Sequence, residues 1–181
     1  MSRLALLTTL LALGCATGQS NLPSGSTRTH TTIDAGKSTY DIVQETTPDI
    51  LTRTVSASLD RAWAALPAAY GDLRVPLNAV DATSHMIGSG VITAHRQFAG
   101  MRLSKMIDCG TSGIGEPRAD GYTVHLNVRT QLSAAAGGGT VVRTLIEAAA
   151  NEAATSDPPV RCATTGALER RIADALGKEI K

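Results

Sequence analysis

The run YTVHLNVRTQL, Tyr122 to Leu132, decides the fold class. Tyr122, Val124, Leu126, Val128 and Leu132 fall on one side of an extended chain. Thr123, His125, Asn127, Arg129 and Gln131 fall on the other. Alternation with period two means one packed face and one wet face, the mark of an antiparallel sheet. Immediately downstream, Gly137-Gly138-Gly139 makes a turn into a second β-prone run, Thr140 to Ala149. Upstream, Ala99 to Cys109 reads as a further strand, with Ala99, Met101, Leu103, Ile107 and Cys109 on one face. Met86 to Ala94 is extended, and its Gly88 and Gly90 mark a bulge or the close approach of another backbone. Val75 to Val80 and Ile50 to Ala57 are shorter strands. Thr31 to Val43 holds a turn signal, Asp34-Ala35-Gly36-Lys37, between two Thr-rich runs, which predicts a hairpin.

Two segments break the period of two. Leu59, Trp63, Leu66, Tyr70 and Leu73 recur at helical spacing behind Ser58, a predicted N-cap, with Asp60 near the positive helix end. Pro67 removes a backbone donor inside this stripe, which predicts a kink or two segments, and Gly71 is the expected stop. After the break at Asp157-Pro158-Pro159, Thr165 and Glu169 resemble a capping box. Leu168, Ile172, Leu176 and Ile180 then form an apolar stripe, flanked by Glu169, Arg170, Arg171, Asp174 and Lys178. The expected class is α+β, an antiparallel β-sheet packed on a C-terminal amphipathic helix.

Composition narrows the function. The 181 residues are 43% hydrophobic and 18% charged, a globular balance fitting one domain. Only 3% are aromatic, which leaves few rings to stack on bases or sugars. A formal charge of +1 lacks the basic field that phosphate backbones demand, so no nucleic-acid partner is expected.

The N-terminus decides the compartment. Arg3 precedes an apolar stretch from Leu4 to Leu13, too short to span a bilayer but matching the core of a secretory signal. Leu11-Ala12-Leu13-Gly14-Cys15 follows, and this resembles the lipobox of bacterial lipoproteins; Ala12 stands where that family more often has a larger aliphatic residue. The resemblance implies cleavage after Gly14 and acylation of Cys15. Residues 1–14 are then a signal peptide, 15–28 a lipidated Gly/Ser/Thr-rich tether, and 29–181 a single α+β domain. Three acyl chains make such an anchor effectively permanent. Ala16 is not Asp, so the family's sorting rule points to the outer membrane, facing the periplasm or the cell surface.

With Cys15 acylated, Cys109 and Cys162 remain. In an oxidising compartment an even remainder reads as one disulfide. A reactive thiol and a metal ligand are the alternatives, and neither cysteine has a Cys or His at C-x-x-C or H-x-C spacing.

Residues that could carry chemistry are scattered. Gly110-Thr111-Ser112-Gly113-Ile114-Gly115 is followed by Glu116 and Pro117, where a phosphate loop needs Lys and Ser or Thr. Ser112 lacks the glycine flanks of a nucleophile elbow. His30, His85, His95 and His125 show no ligand spacing, although His95 and His125 on neighbouring strands could meet. Arg170, Arg171, Lys178 and Lys181 give one helix face a basic cast that could touch anionic headgroups. No catalytic residue, metal or cofactor is expected.

The order of strand, helix, antiparallel strands and closing helix resembles the helix-grip domains of BamC-like outer-membrane assembly lipoproteins, over roughly residues 49 to 180. The resemblance implies a non-catalytic envelope lipoprotein, held on the membrane through Cys15, that docks on a membrane-protein partner. The alternative is a periplasmic carrier holding a small molecule or lipid between sheet and helix. A hydrolase is the weakest of the three.

Overall fold

The computed structural model describes residues 51–152 and 159–181 in full, and residues 27–34 and 39–46 as backbone strands. Those two strands, β1 (Thr27–Asp34) and β2 (Thr39–Thr46), pair antiparallel from Thr27 opposite Thr46 to Asp34 opposite Thr39. This is the expected hairpin, although β1 starts within the stretch read as tether.

The chain continues through β3 (Leu51–Val55), α1 (Leu59–Asp72), β4 (Ala79–Asp81), β5 (Met86–His95), β6 (Gln97–Phe98), β7 (Met101–Arg102), α2 (Leu103–Met106) and β8 (Ile107–Asp108). It closes with α3 (Arg118–Gly121), β9 (Thr123–Ala134), β10 (Thr140–Asn151), β11 (Val160–Thr164) and α4 (Ala167–Glu179). β3 to β11 form one nine-stranded antiparallel sheet with the spine β7-β6-β5-β9-β10-β11-β8. β9 pairs with β10 along its whole length, Thr123 to Ala134. The other edge of β10 is shared by β3, on Thr140–Thr144, and β11, on Ala148–Ala150. The class is the α+β arrangement expected, with the C-terminal helix packed against the sheet.

Both long helices bury their stripes on the same face of the sheet. Leu66, Ala69 and Tyr70 of α1 and Leu168, Ile172 and Leu176 of α4 meet Val124, Leu126 and Val128 of β9 and Val142, Ile146 and Ala150 of β10. Each large aliphatic or aromatic side chain so buried contributes about 1.5–3 kcal/mol. The space between helices and sheet is therefore filled with side chains.

A polar seam crosses the core. Thr130 lies in phase with the buried face of β9 and is fully buried. The Tyr70 hydroxyl donates to Thr130 Oγ1 at 2.9 Å, and Thr130 Oγ1 lies 3.0 Å from Thr144 Oγ1 on β10. Burial pushes the Tyr70 phenol well above its usual range, only partly offset by the bond to Thr130.

Several local expectations need correcting. α1 runs unbroken through Pro67, which lies on the exposed side of the helix, where a carbonyl robbed of its partner can be hydrated. Gly71 does not end α1. Arg74 takes the left-handed position (φ 55°), with Arg74 N–H donating to the Gly71 carbonyl and Val75 N–H to that of Tyr70. That is a Schellman closure built on a non-glycine residue. Only Ala79–Asp81 of the stretch 75–80 and its flank is strand.

The segment 99–109 is not one strand. β6 and β7 form a tight hairpin whose turn residues, Ala99 and Gly100, both have positive φ (49° and 72°). The one-turn α2 follows, so the apolar residues Leu103, Met106, Ile107 and Cys109 reach the core from a folded-back chain. β11 was not foreseen, because Val160–Thr164 is short and follows two prolines. The expected capping box also differs. Gly166 is the N-cap (φ 75°), and Glu169 is buried and accepts from the Thr164 hydroxyl.

The glycines behave as their spacing implies. The pairing of β5 with β9 shifts register between Gly88 and Val91, a bulge centred on Ser89 and Gly90. At the turn into β10, Gly139 has φ 89°, and a Cβ there would stand 2.6 Å from the Val55 carbonyl oxygen.

Candidate functional site

Cys15, the expected lipid carrier, lies outside the described residues. The other two cysteines are joined: Cys109 and Cys162 have an S–S distance of 2.06 Å and are 53 residues apart. The sheet explains why they meet. β8 and β11 pair with Asp108 opposite Ala163 and Ile107 opposite Thr164, so the next step of the same register sets Cys109 opposite Cys162. Both are buried, facing the core as expected for Cys109. In the chain-entropy account, closing a loop of this size stabilises the fold by about 4 kcal/mol.

The sheet face turned away from the helices carries the polar half of β9. His125, Asn127, Arg129 and Gln131 stand there beside Thr93 and His95 of β5, Glu147 of β10 and Arg161 of β11. Arg129 Nη2 bonds Glu147 Oε2 at 2.6 Å, a partly exposed pair that contributes at most about 1 kcal/mol. A shallow cleft of about 360 Å³ crosses this face, lined by Val91, His125, Asn127, Glu147 and Arg161. A second hollow of about 190 Å³ shares Asn127 and is bordered by Val80 and Asp81. Val91 borders the first and Val80 the second, and both are exposed, at 75% and 62%. Asp81 closes the turn before β5 by accepting from the Ser84 hydroxyl (2.7 Å) and from the Thr83 and Ser84 amides. These bonds, the Ser84 hydroxyl first, hold its carboxyl below the usual range.

His95 and His125 do share a face, each set against a threonine. His125 Nδ1 lies 3.2 Å from Thr93 Oγ1, and His95 Nδ1 lies 3.5 Å from Thr123 Oγ1. His85 instead packs edge-on against Trp63, with centroids 5.4 Å apart. Among the described residues, no group of three or more His, Cys, Asp or Glu could hold one metal ion. The Gly-rich loop is a structural turn: Ser112 N–H donates to the Glu116 carbonyl, Gly115 N–H to that of Ser112, and Thr111 bridges Pro117.

The basic face of α4 is partly spent on the fold. Arg171 Nη1 donates to the Ala99 carbonyl at 2.6 Å, clasping the β6–β7 turn, and Arg170 Nη2 reaches the Thr165 carbonyl at 3.4 Å. Lys178 and Lys181 border a cleft of about 340 Å³ with Arg53 and Asp174.

A further cavity, of about 400 Å³, was not legible in the sequence. It lies by the β7–β6 end of the sheet and is lined by Arg96, Gln97 and Arg102 together with Glu116 and Asp120. Its residues come from two segments with no recognisable spacing, and no motif would have joined them. No helix among the described residues is long and apolar enough to cross a membrane. No family model, curated protein or solved structure matches this chain. The fold therefore stands on its own topology.

Proposed function

We propose that this chain is a non-catalytic envelope lipoprotein, anchored in the outer membrane through acyl chains on Cys15, whose domain docks on a membrane-protein partner. The observation that carries the reading is the order of the first fifteen residues: a cation, a short apolar run, a small residue and a cysteine. The bonded Cys109–Cys162 pair supports it, because disulfides persist in oxidising compartments. The filled space between helices and sheet favours docking over a carrier, which needs a hollow there. A tether raises the effective concentration of the domain near its partner, so a weak interface suffices. The outward sheet face, with its cations, histidines and exposed Val91, offers mixed chemistry for such an interface.

The test is gentle detergent solubilisation followed by affinity isolation of the full chain. A partner recovered in stoichiometric amount, and lost on charge reversal at the exposed Arg161, is the expected outcome. Recovery of the chain alone, even after cross-linking, contradicts the docking reading.

A further inference from the structure

We infer that the cavity between the β6–β7 hairpin and the 116–121 segment is a binding site for a small zwitterion, one that carries an oxyanion and an ammonium a few bonds apart. The shared chemistry occurs in the headgroup of an ethanolamine phospholipid and in a free short peptide. The inference needs only the domain and does not depend on the lipid anchor.

The first argument is charge held apart. Arg96 and Arg102, from the 96–102 segment, line the cavity together with Glu116 and Asp120, from the 116–121 segment. Among the described residues neither guanidinium forms an ion pair, and the Glu116 carboxylate has no partner either. Opposite charges sharing one concave surface without closing on each other leave both ends of a bipolar ligand to be satisfied. The cavity, at about 400 Å³, falls in the ordinary range for small-molecule sites.

The second argument is pre-organisation. Gln97 and Arg102 are directly paired across the β6–β7 ladder, so Arg102 is set beside the amide of Gln97. Arg96 is held in the left-handed region (φ 61°), where its carbonyl accepts from Leu103 N–H at 2.9 Å. That conformation is unfavourable for an arginine, and the surrounding bonds impose it. In the 116–121 segment both oxygens of Asp120 are taken by Ser104, through the amide (3.0 Å) and the hydroxyl (2.6 Å). The Glu116 loop is closed by the Thr111–Pro117 bridge and by Arg118 N–H to the Gly110 carbonyl, next to the disulfide at Cys109. The backbone carrying these side chains is thus fixed before a ligand enters, and only the exposed side chains of Arg96, Arg102 and Glu116 are left to be ordered.

Isothermal titration of the purified full chain with glycerophosphoethanolamine and with an alanyl-alanine dipeptide tests the inference. Glycerol 3-phosphate and ethanolamine serve as single-charge controls. At least one zwitterion is expected to bind, at least about tenfold more tightly than either control, and which one binds identifies the source. Arg96→Ala with Arg102→Ala should weaken that binding at least about tenfold without lowering the melting temperature, since both side chains are exposed. Should that double variant melt early, Glu116→Gln provides the second reading: it should remove the preference for the zwitterion over glycerol 3-phosphate. Failure of both zwitterions to bind, a control that binds as tightly, or a folded double variant with unchanged affinity overturns the inference.

Discussion

The β9–β10 hairpin and the segment from Arg96 to Tyr122 hold themselves in place by opposite means. The hairpin has a continuous twelve-residue ladder, one face of which is buried under two helices. Its stability is spread over many equivalent contacts. The segment consists of two-residue strands and one-turn helices. Few ladder bonds are available to it, and it depends on discrete ties: the Cys109–Cys162 bond, the Asp120–Ser104 pair and the Arg171 clasp on Ala99. Regular structure thus tolerates the loss of one contact, whereas the tied segment does not. The cavity, whose charges form no ion pair among the described residues, lies in the tied segment, where side chains can be aimed without obeying a ladder.

The largest expected effect comes from cutting the strongest tie. Replacing both cysteines, Cys109→Ala with Cys162→Ala, should cost about 4 kcal/mol in denaturant unfolding. Native-state hydrogen exchange should show the segment losing protection first while β9 and β10 keep theirs. A uniform loss across both regions would erase the distinction. Gly139→Ala attacks the hairpin at its turn. Its φ of 89° and the 2.6 Å approach to the Val55 carbonyl predict a loss of about 2 kcal/mol, read as a lower chemical midpoint. The same change at Gly137, which has open space around it, should be nearly silent.

How much of this was legible follows the same division. The β9 strand announced itself because its burial has the period of its side chains, and the helices did so at their own period. Thr130 fits that phase too, but a polar side chain in a core position is recognisable only when Tyr70 and Thr144 are seen to meet it. In the stretch 99–109 the apolar residues fell in alternate positions by coincidence. The turn at Ala99-Gly100 lacks the Asn-Gly or Asp-Gly chemistry that flags a hairpin. Glu169 looked like surface because its partner, Thr164, sits on a strand that two prolines concealed. The cysteine pairing was legible by counting. The cavity was not, because Arg96 and Glu116 become neighbours only through the ties that fold the segment back.

Smaller effects sharpen the contrast further. Ser104→Ala removes the hydroxyl bonded to one Asp120 oxygen and leaves the backbone amide of residue 104 on the other. A cost of about 1.5 kcal/mol is expected, with exchange rising near α2 and α3 alone. Tyr70→Phe should cost about 1 kcal/mol at neutral pH, spread over the core. It should also change the alkaline limb. Because the folded phenol is raised above its unfolded value, its stabilising contribution is complete below the ordinary tyrosine range near about 10. It then declines as pH rises toward the folded value. Unfolding midpoints measured on either side of that range should fall more in the parent than in the Phe variant, and parallel slopes would contradict the assignment.

The proposal of a membrane-held domain rests on position 15, and intact-mass analysis of the chain extracted from its native membranes addresses that position directly. The expected product begins at Cys15 and carries the added mass of acyl chains. An unacylated product that begins at another residue and is released without detergent would contradict the anchor and remove the basis for docking at a membrane.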